Sequence, residues 1–422
     1  MTNNYWPVTN TGLSLGIFIV LGFILGKTKK IEPKLLVGLN QYVFFIGLPG
    51  AVLNQIWSRD MYNIETEVWS FINCWITFRL CMLALSVCYG IIRKQHIGDI
   101  CSNWLATTWA STILLGQPFI ESLYGPKLGR QPWGVWAGVS SWIAQLPWML
   151  TMFEFYKIQR DSSEEYSAEL AKKKEAEEEQ KKLLETETTE SEETPEDVQV
   201  ETEEVIETVV AEVKPVITVE AELCLVNGML PWKAALKRVN FVKIVLKILT
   251  NPVLIAVILG WTLTLFKVGI PGWTPPPPPG GISDRTNPLF FIYQFLTTAG
   301  PTASPLAMTA VGLFAASSGN GLKGLIPCGV RKLLVYLFIK MIITPIIMIP
   351  LASLFGLEGA IARAAVIVCA TPISNAAFAL SKQYNHGAGL MAPMIVVGAI
   401  TLLPVVLFLD VFMNWIGVFP LE

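Results

Sequence analysis

Apolar residues in this chain come in long unbroken blocks, not in the one-sided stripes of a surface helix. Ten such blocks cover residues 8–26, 35–57, 67–92, 101–124, 133–157, 241–267, 289–316, 331–355, 361–385 and 388–416. Runs such as GLSLGIFIVLGFILG and LIAVILGWTLTLF sit within them. A block of about 20 apolar residues matches the thickness of a bilayer's hydrocarbon core. The pattern therefore predicts an all-α, polytopic membrane protein of ten helices. The first block begins about ten residues in, without a basic stretch ahead of it, so it reads as a span and not as a cleaved signal.

Two blocks are interrupted by polar residues and proline. The fourth holds Gly116, Gln117 and Pro118, and the ninth holds Thr371, Pro372, Ser374 and Asn375. Proline inside a helix removes a hydrogen bond and clashes with the preceding turn. In lipid, freed backbone groups survive only where protein or a wet cavity covers them.

A segment of different character separates the fifth and sixth blocks. Between Asp161 and Glu222 there are 22 acidic residues against 6 lysines, a net charge of −16. ETETTESEETPEDVQVETEE has almost nothing to bury and reads as a disordered tether. The organisation follows: 1–160 as an N-terminal five-helix repeat, 161–240 as an acidic, largely disordered loop, and 241–422 as a C-terminal five-helix repeat. WTPPPPPGGISDRTNP, between the sixth and seventh blocks, reads as a stiff spacer.

Charge sets the orientation. Outside the acidic segment the chain carries 25 Lys and Arg, and 17 of them fall in loops on one side if the N-terminus faces outward. Cytoplasmic loops collect Lys and Arg, so both termini are expected on the non-cytoplasmic side, with the acidic loop in the cytoplasm. Five helices per half, an odd number, inverts the second half relative to the first, an arrangement of secondary transporters. The fourth and ninth blocks then occupy equivalent places, and their breaks point to a binding site near the bilayer midplane. Helix N-termini there carry partial positive charge and free N–H groups, which suit a carboxylate. The candidate binding residues are Ser111, Gln117, Pro118, Pro372, Ser374, Asn375 and Lys382.

Other ionisable residues lie in or near the blocks. Arg79 and Lys340 fall near the middles of the third and eighth, and are read as anchors to carbonyls or as partners of Glu121. Glu154, Lys382 and Asp410 lie near predicted ends, where they snorkel to the interface. Cys74, Cys81 and Cys88 recur every seven residues, as small residues at a helix seam do. Seven cysteines without a C-x-x-C pair and two histidines suggest neither a disulfide framework nor a metal centre, and no cofactor is called for.

These segments resemble the auxin efflux carrier superfamily, which includes the plant PIN carriers and bacterial malate/malonate permeases. LLGQPFIESLYG (114–125) resembles that family's first crossover motif and ATPISNAAFALSKQYN (370–385) its second. FFIGLPGAVL, NPVLIAVILGWTL and SPLAMTAVGLF resemble its second, sixth and seventh spans. The resemblance implies helices four and nine crossing at their prolines, a scaffold of helices 1, 2, 6 and 7, and a transport part of helices 3–5 and 8–10. It also implies organic-anion transport by an elevator-like mechanism, and a homodimer. In the family an asparagine stands five residues before the first crossover glycine. Here that position is Ser111, a shorter donor, which argues against auxin itself as the cargo.

Three functional classes follow. A carrier exporting organic anions such as indole carboxylates leads, with the lipid bilayer and a small organic anion as partners and no nucleic acid. The localisation expected is the plasma membrane or the endoplasmic reticulum. A malate-type dicarboxylate permease would need a second cationic contact, for which Lys382 is nearest. A sensor would bind the same ligand without moving it. An intramembrane enzyme would need a nucleophile–base pair or metal ligands, and the spans hold only isolated residues of those kinds.

Overall fold

A computed structural model describes residues 5–28, 34–57, 66–128, 131–161, 241–265, 290–317 and 326–421. The acidic segment beyond Asp161 and the proline run lie outside the described residues. The chain divides into two units, one of residues 1–152 with 242–422 and one of 153–241. In the second, residues 153–161 are helical, with Arg160 paired to Asp161 at 2.9 Å.

Helix covers most of the described part of each apolar block, with gaps at 109–111, 250–251 and 371–374. In chain order the helices are α1 (Trp6–Lys27), α2 (34–57), α3 (Thr66–Ile92), α4 (Ile97–Thr108), α5 (Gln117–Tyr124), α6 (133–161), α7 (Phe241–Leu249), α8 (Pro252–Leu265), α9 (Phe290–Ser317), α10 (Val330–Leu354), α11 (Gly359–Ala370), α12 (Asn375–Gln383) and α13 (Ala388–Trp415). Among the described residues, α1, α3, α10 and α13 are each long and apolar enough to cross a membrane. The fourth and ninth blocks are each divided in two, into α4 and α5 and into α11 and α12.

Local sequence explains the starts and stops. Proline stands in the first turn of α1, α5 and α8, where a missing N–H costs nothing. Asn251 caps α8 by accepting from the N–H groups of Val253 and Leu254, at 3.0 and 3.3 Å. Four helices contain a wide turn in which the N–H reaches back five residues: Val43–Gly47, Thr112–Gly116, Ser141–Gln145 and Ile339–Ile343. Such turns leave a carbonyl free of the regular ladder and gather at functional places.

Packing separates the unit into two groups. In the first, α1 lies along α9, and α2 packs on α8 and α9. A Cβ on Gly22 would fall 2.2 Å from the Thr309 carbonyl oxygen, and one on Gly312 2.0 Å from that of Ile19, so main chain meets main chain. Membrane helices associate closely through such small residues, because lipid supplies no hydrophobic drive between them. In the second group α3 packs on α4, α6 and α10, and α11 on α6, α10 and α13. The cysteine spacing predicts a seam, but only Cys74 faces one, 3.6 Å from the Met348 sulfur. Cys81 and Cys88 are exposed, because α3 turns that face outward beyond its first half.

Candidate functional site at the helix crossover

The two interruptions meet. Ala110 and Ile373 form a two-stranded antiparallel bridge: Ser111 N–H donates to the Pro372 carbonyl at 2.8 Å, and Ser374 N–H to the Trp109 carbonyl at 3.1 Å. Each break thus satisfies backbone groups that the other exposes, as a membrane interior requires. Downstream, the Ser111 carbonyl accepts from Leu115 and Gly116, opening the wide turn that leads into α5. Ser374 caps α12, its hydroxyl accepting from Ala376 N–H at 3.3 Å. Two helices therefore end at the crossover, α4 and α11, and two chain segments start from it toward α5 and α12.

Two clefts flank this point. One, of about 20 Å³, room for about one water molecule, is lined by Leu48 and Trp142 together with Ser111, Thr112, Ser141 and Ser374. The other, also of about 20 Å³, is lined by Asn40, Phe314, Asn375 and Phe378 among others. Each lies where α2 or α9 of the first helix group faces the crossover.

The candidate residues fall into two sets. Ser111, Pro372, Ser374 and Asn375 come together at the crossover. Gln117 does not offer its amide to a cleft: its Oε1 accepts from Gly134 N–H at 2.6 Å, and its Nε2 donates to Glu121 at 2.6 Å. It caps the start of α6, and a Cβ on Gly134 would lie 2.7 Å from that oxygen. Pro118 occupies the first turn of α5, and its carbonyl accepts from Ser122 at 2.7 Å. Lys382 is exposed in the last turn of α12. Seven residues of helix set it about 10 Å along the axis from Asn375.

Charged residues behave differently from the sequence reading in three cases. Glu121 takes Gln117 as partner, not Arg79 or Lys340. Arg363, counted as a loop residue, is buried against Asp410 at 3.2 Å. Asp410 does not snorkel; at 2 % exposure it also accepts from Tyr5 at 3.0 Å and Tyr124 at 2.6 Å. The proximity of 410 to a predicted end hid this, because residues 416–421 fold back and Phe419 gives its carbonyl to Arg363 at 2.7 Å.

Arg79 and Lys340 are both fully buried. Arg79 donates to Gln145 at 3.0 Å, Trp75 O at 3.2 Å, Ser140 at 2.5 Å, Ala137 O at 2.9 Å and the Ser141 hydroxyl, and stacks over the Trp75 ring. Those acceptors cluster at the wide turn of α6, and they match the guanidinium's five N–H groups. Lys340, in the wide turn of α10, donates to the Cys369 carbonyl at 3.0 Å. Carbonyl anchoring is therefore what the structure has, joined for Arg79 by hydroxyls and an amide. Sequence reasoning missed Gln145, Ser140 and Ser141. The signal available was polar residues inside an otherwise apolar fifth block.

At the opposite end of α12, His386 Nε2 lies 3.0 Å from Asp99 Oδ1, joining the turn after α12 to the start of α4. Tyr336 of α10 donates to Asn103 of α4 beside it.

Among the described residues the chain is helical, with four helices apolar and long enough to cross a membrane and a hydrogen-bonded crossing of broken helices. Residues 8–409 match the sequence profile of the family described as "Membrane transport protein", and the chain belongs to that family of transporters, the auxin efflux carrier family. It is similar to "Auxin efflux carrier component 6" of Arabidopsis thaliana, 29% identical over 161 residues, which is 38% of this chain and 25% of the relative. It is also similar to "Probable auxin efflux carrier component 9" of Oryza sativa subsp. japonica, 30% identical over 100 residues, 23% of this chain and 24% of that one. The matched stretches thus span about a quarter of the length of each curated relative.

Proposed function

We propose that this chain is a carrier that exports organic anions by alternating access, with the cargo's carboxylate held at the crossover. The observation that carries the reading is the pair of bonds between breaks, Ser111 N–H to Pro372 O and Ser374 N–H to Trp109 O, with a cleft on either side. Chain segments starting from that junction direct N–H groups into it, and an N-terminal N–H array favours an anion. Ser111, Ser374 and Asn375 supply the side-chain donors. Gln117 holds the start of α6, Pro372 lies in the ninth block's break, and Pro118 sits in the first turn of α5, past the fourth block's break at 109–111.

The architecture in this reading is ten spans in two inverted five-helix repeats, both termini non-cytoplasmic, in the plasma membrane or endoplasmic reticulum. The group of α1, α2, α7, α8 and α9 serves as scaffold, and the remaining helices move against it as an elevator. Single hydrogen bonds across the two groups fit such sliding: Thr11 to Ser122 at 2.5 Å, and Ser304 to the Leu114 carbonyl at 2.6 Å. The scaffold would also carry a homodimer interface. The relatives' printed names favour indole carboxylates over malate as cargo. Lys382, the second cation a dicarboxylate would need, is exposed at the far end of α12.

Uptake of labelled indole-3-acetate and labelled malate into proteoliposomes tests this, comparing the native chain with Asn375→Ala. The expected result is accumulation of the indole carboxylate, lowered about tenfold by the substitution through loss of one donor to a charged group. Binding without translocation would replace the carrier with a sensor. Absence of binding would remove the anion assignment.

A further inference from the structure

Arg79 and Lys340 are each 0 % exposed, and among the described residues neither meets an acidic side chain. Buried charge without a counter-charge is costly in a membrane protein. Hydrogen bonding does not account for it. Lys340 makes one described bond, to a carbonyl, and a neutral amide or hydroxyl could make that bond at far lower desolvation cost.

Position supplies the missing reason. Lys340 holds Cys369 O, in the last turn of α11, three residues before Pro372. Arg79 holds Gln145, whose Nε2 donates at 2.5 Å to Thr108 Oγ1, the last residue of α4. The two cations thus sit in equivalent places, each behind the helix that ends at the crossover. Arg79 comes closer still to the site: it donates to the Ser141 hydroxyl, which lines the same cleft as Ser111 and Ser374. Helix ends do not neutralise the pair. The negative C-termini of α4 and α11, about −0.5 each, are offset by the positive N-termini that start at the same point, about +0.5 each.

We propose that Arg79 and Lys340 are the fixed counter-charges of the crossover, each contributing to its selectivity for an anion over a neutral or cationic molecule of the same shape, without touching the cargo. This rests on the carrier reading and adds to it the residues that set charge selection. Of the acidic groups nearby, Asp410 is joined to Arg363 and Asp99 to His386, while Glu121, bonded to the Gln117 amide, is exposed.

The test compares binding of indole-3-acetate with that of its neutral isostere, indole-3-acetamide, and of the cation tryptamine, to the purified full-length protein. The native chain is expected to prefer the acid. Lys340→Gln keeps a donor for Cys369 O and removes the charge. It should weaken acid binding about tenfold, the scale of one charge acting through partly polarisable protein over about 10 Å, and leave amide binding unchanged. Lys340→Arg should restore the preference. If the glutamine variant does not fold, Lys340→Met, which fills the same space, gives the same comparison. A purely anchoring role would move acid and amide together, so an unchanged acid-to-amide ratio in a folded, charge-free variant overturns the proposal. A native chain that binds the acid no better than the amide overturns the anion reading of the site instead, and this inference with it.

Discussion

Where α1 meets α9, Gly22 and Gly312 bring main chain against main chain, with no side chain between them. Where α3 meets α6, a guanidinium sits between helices and is met on every N–H by an oxygen. Both interfaces belong to one compact unit, yet their energetics differ in kind. The first rests on close dispersion contacts, individually small and steeply dependent on distance. The second rests on polar groups in a low dielectric, where each bond is strong and each loss costly. A scaffold gains from the first, since main chain packed on main chain holds α1 and α9 together with no side chain that must rearrange. A binding part gains from the second, because a satisfied polar network fixes geometry around a break in the backbone.

That contrast can be broken most severely at the Arg363–Asp410 pair. Asp410→Asn leaves a buried guanidinium without its counter-charge and should destabilise by about 3–5 kcal/mol, read as a large fall in thermal midpoint in detergent. Replacing both residues together with leucine and methionine should recover most of that loss. A small effect of the single change would mean that the Phe419 and Val418 carbonyls suffice for Arg363.

The next effect belongs to the glycine interface. Gly312→Val places side-chain atoms where the Ile19 carbonyl already is. Because backbone cannot yield as a flexible side chain does, about 1–3 kcal/mol or more should be lost. Thermal unfolding measures it, and an unchanged midpoint would show that α1 and α9 can separate at no cost.

The smallest and most informative change lies between the groups. Ser304→Ala removes the bond to Leu114 O, worth about 1 kcal/mol. Stability should hardly change while the transport rate does, since a tie across a sliding surface is broken in every cycle. If rate and stability both stay fixed, Ser304 is not at a moving surface.

Helix positions were legible from the apolar pattern, because a helix in lipid must satisfy its own backbone and so reveals itself by length. The ninth block's break was legible, since Thr371-Pro372 lies in it and proline acts on its own turn. The fourth was misplaced, because the chain leaves helix at 109–111 and Gln117-Pro118 lies in the helix that follows. Partners were not legible. Gln117 looks in sequence like a donor for cargo, but its N–H groups face Glu121, and only folding brings Gly134 N–H within 2.6 Å of its oxygen. Asp410 and Arg363, 47 residues apart, gave no sign of pairing, and Asp410 near a predicted end looked solvated.

The sequence by itself determined the apolar, helical pattern of a membrane protein and the polar, proline-containing interruptions of its fourth and ninth blocks, because hydrophobic length and proline act locally. Tertiary structure alone decided that the interruptions bond to each other, that Arg79 and Lys340 stand behind them, and that Lys382 stands apart. The physical reason is that hydrogen bonds and charges act over a few ångströms of space, and residues hundreds of positions apart become neighbours only when helices pack.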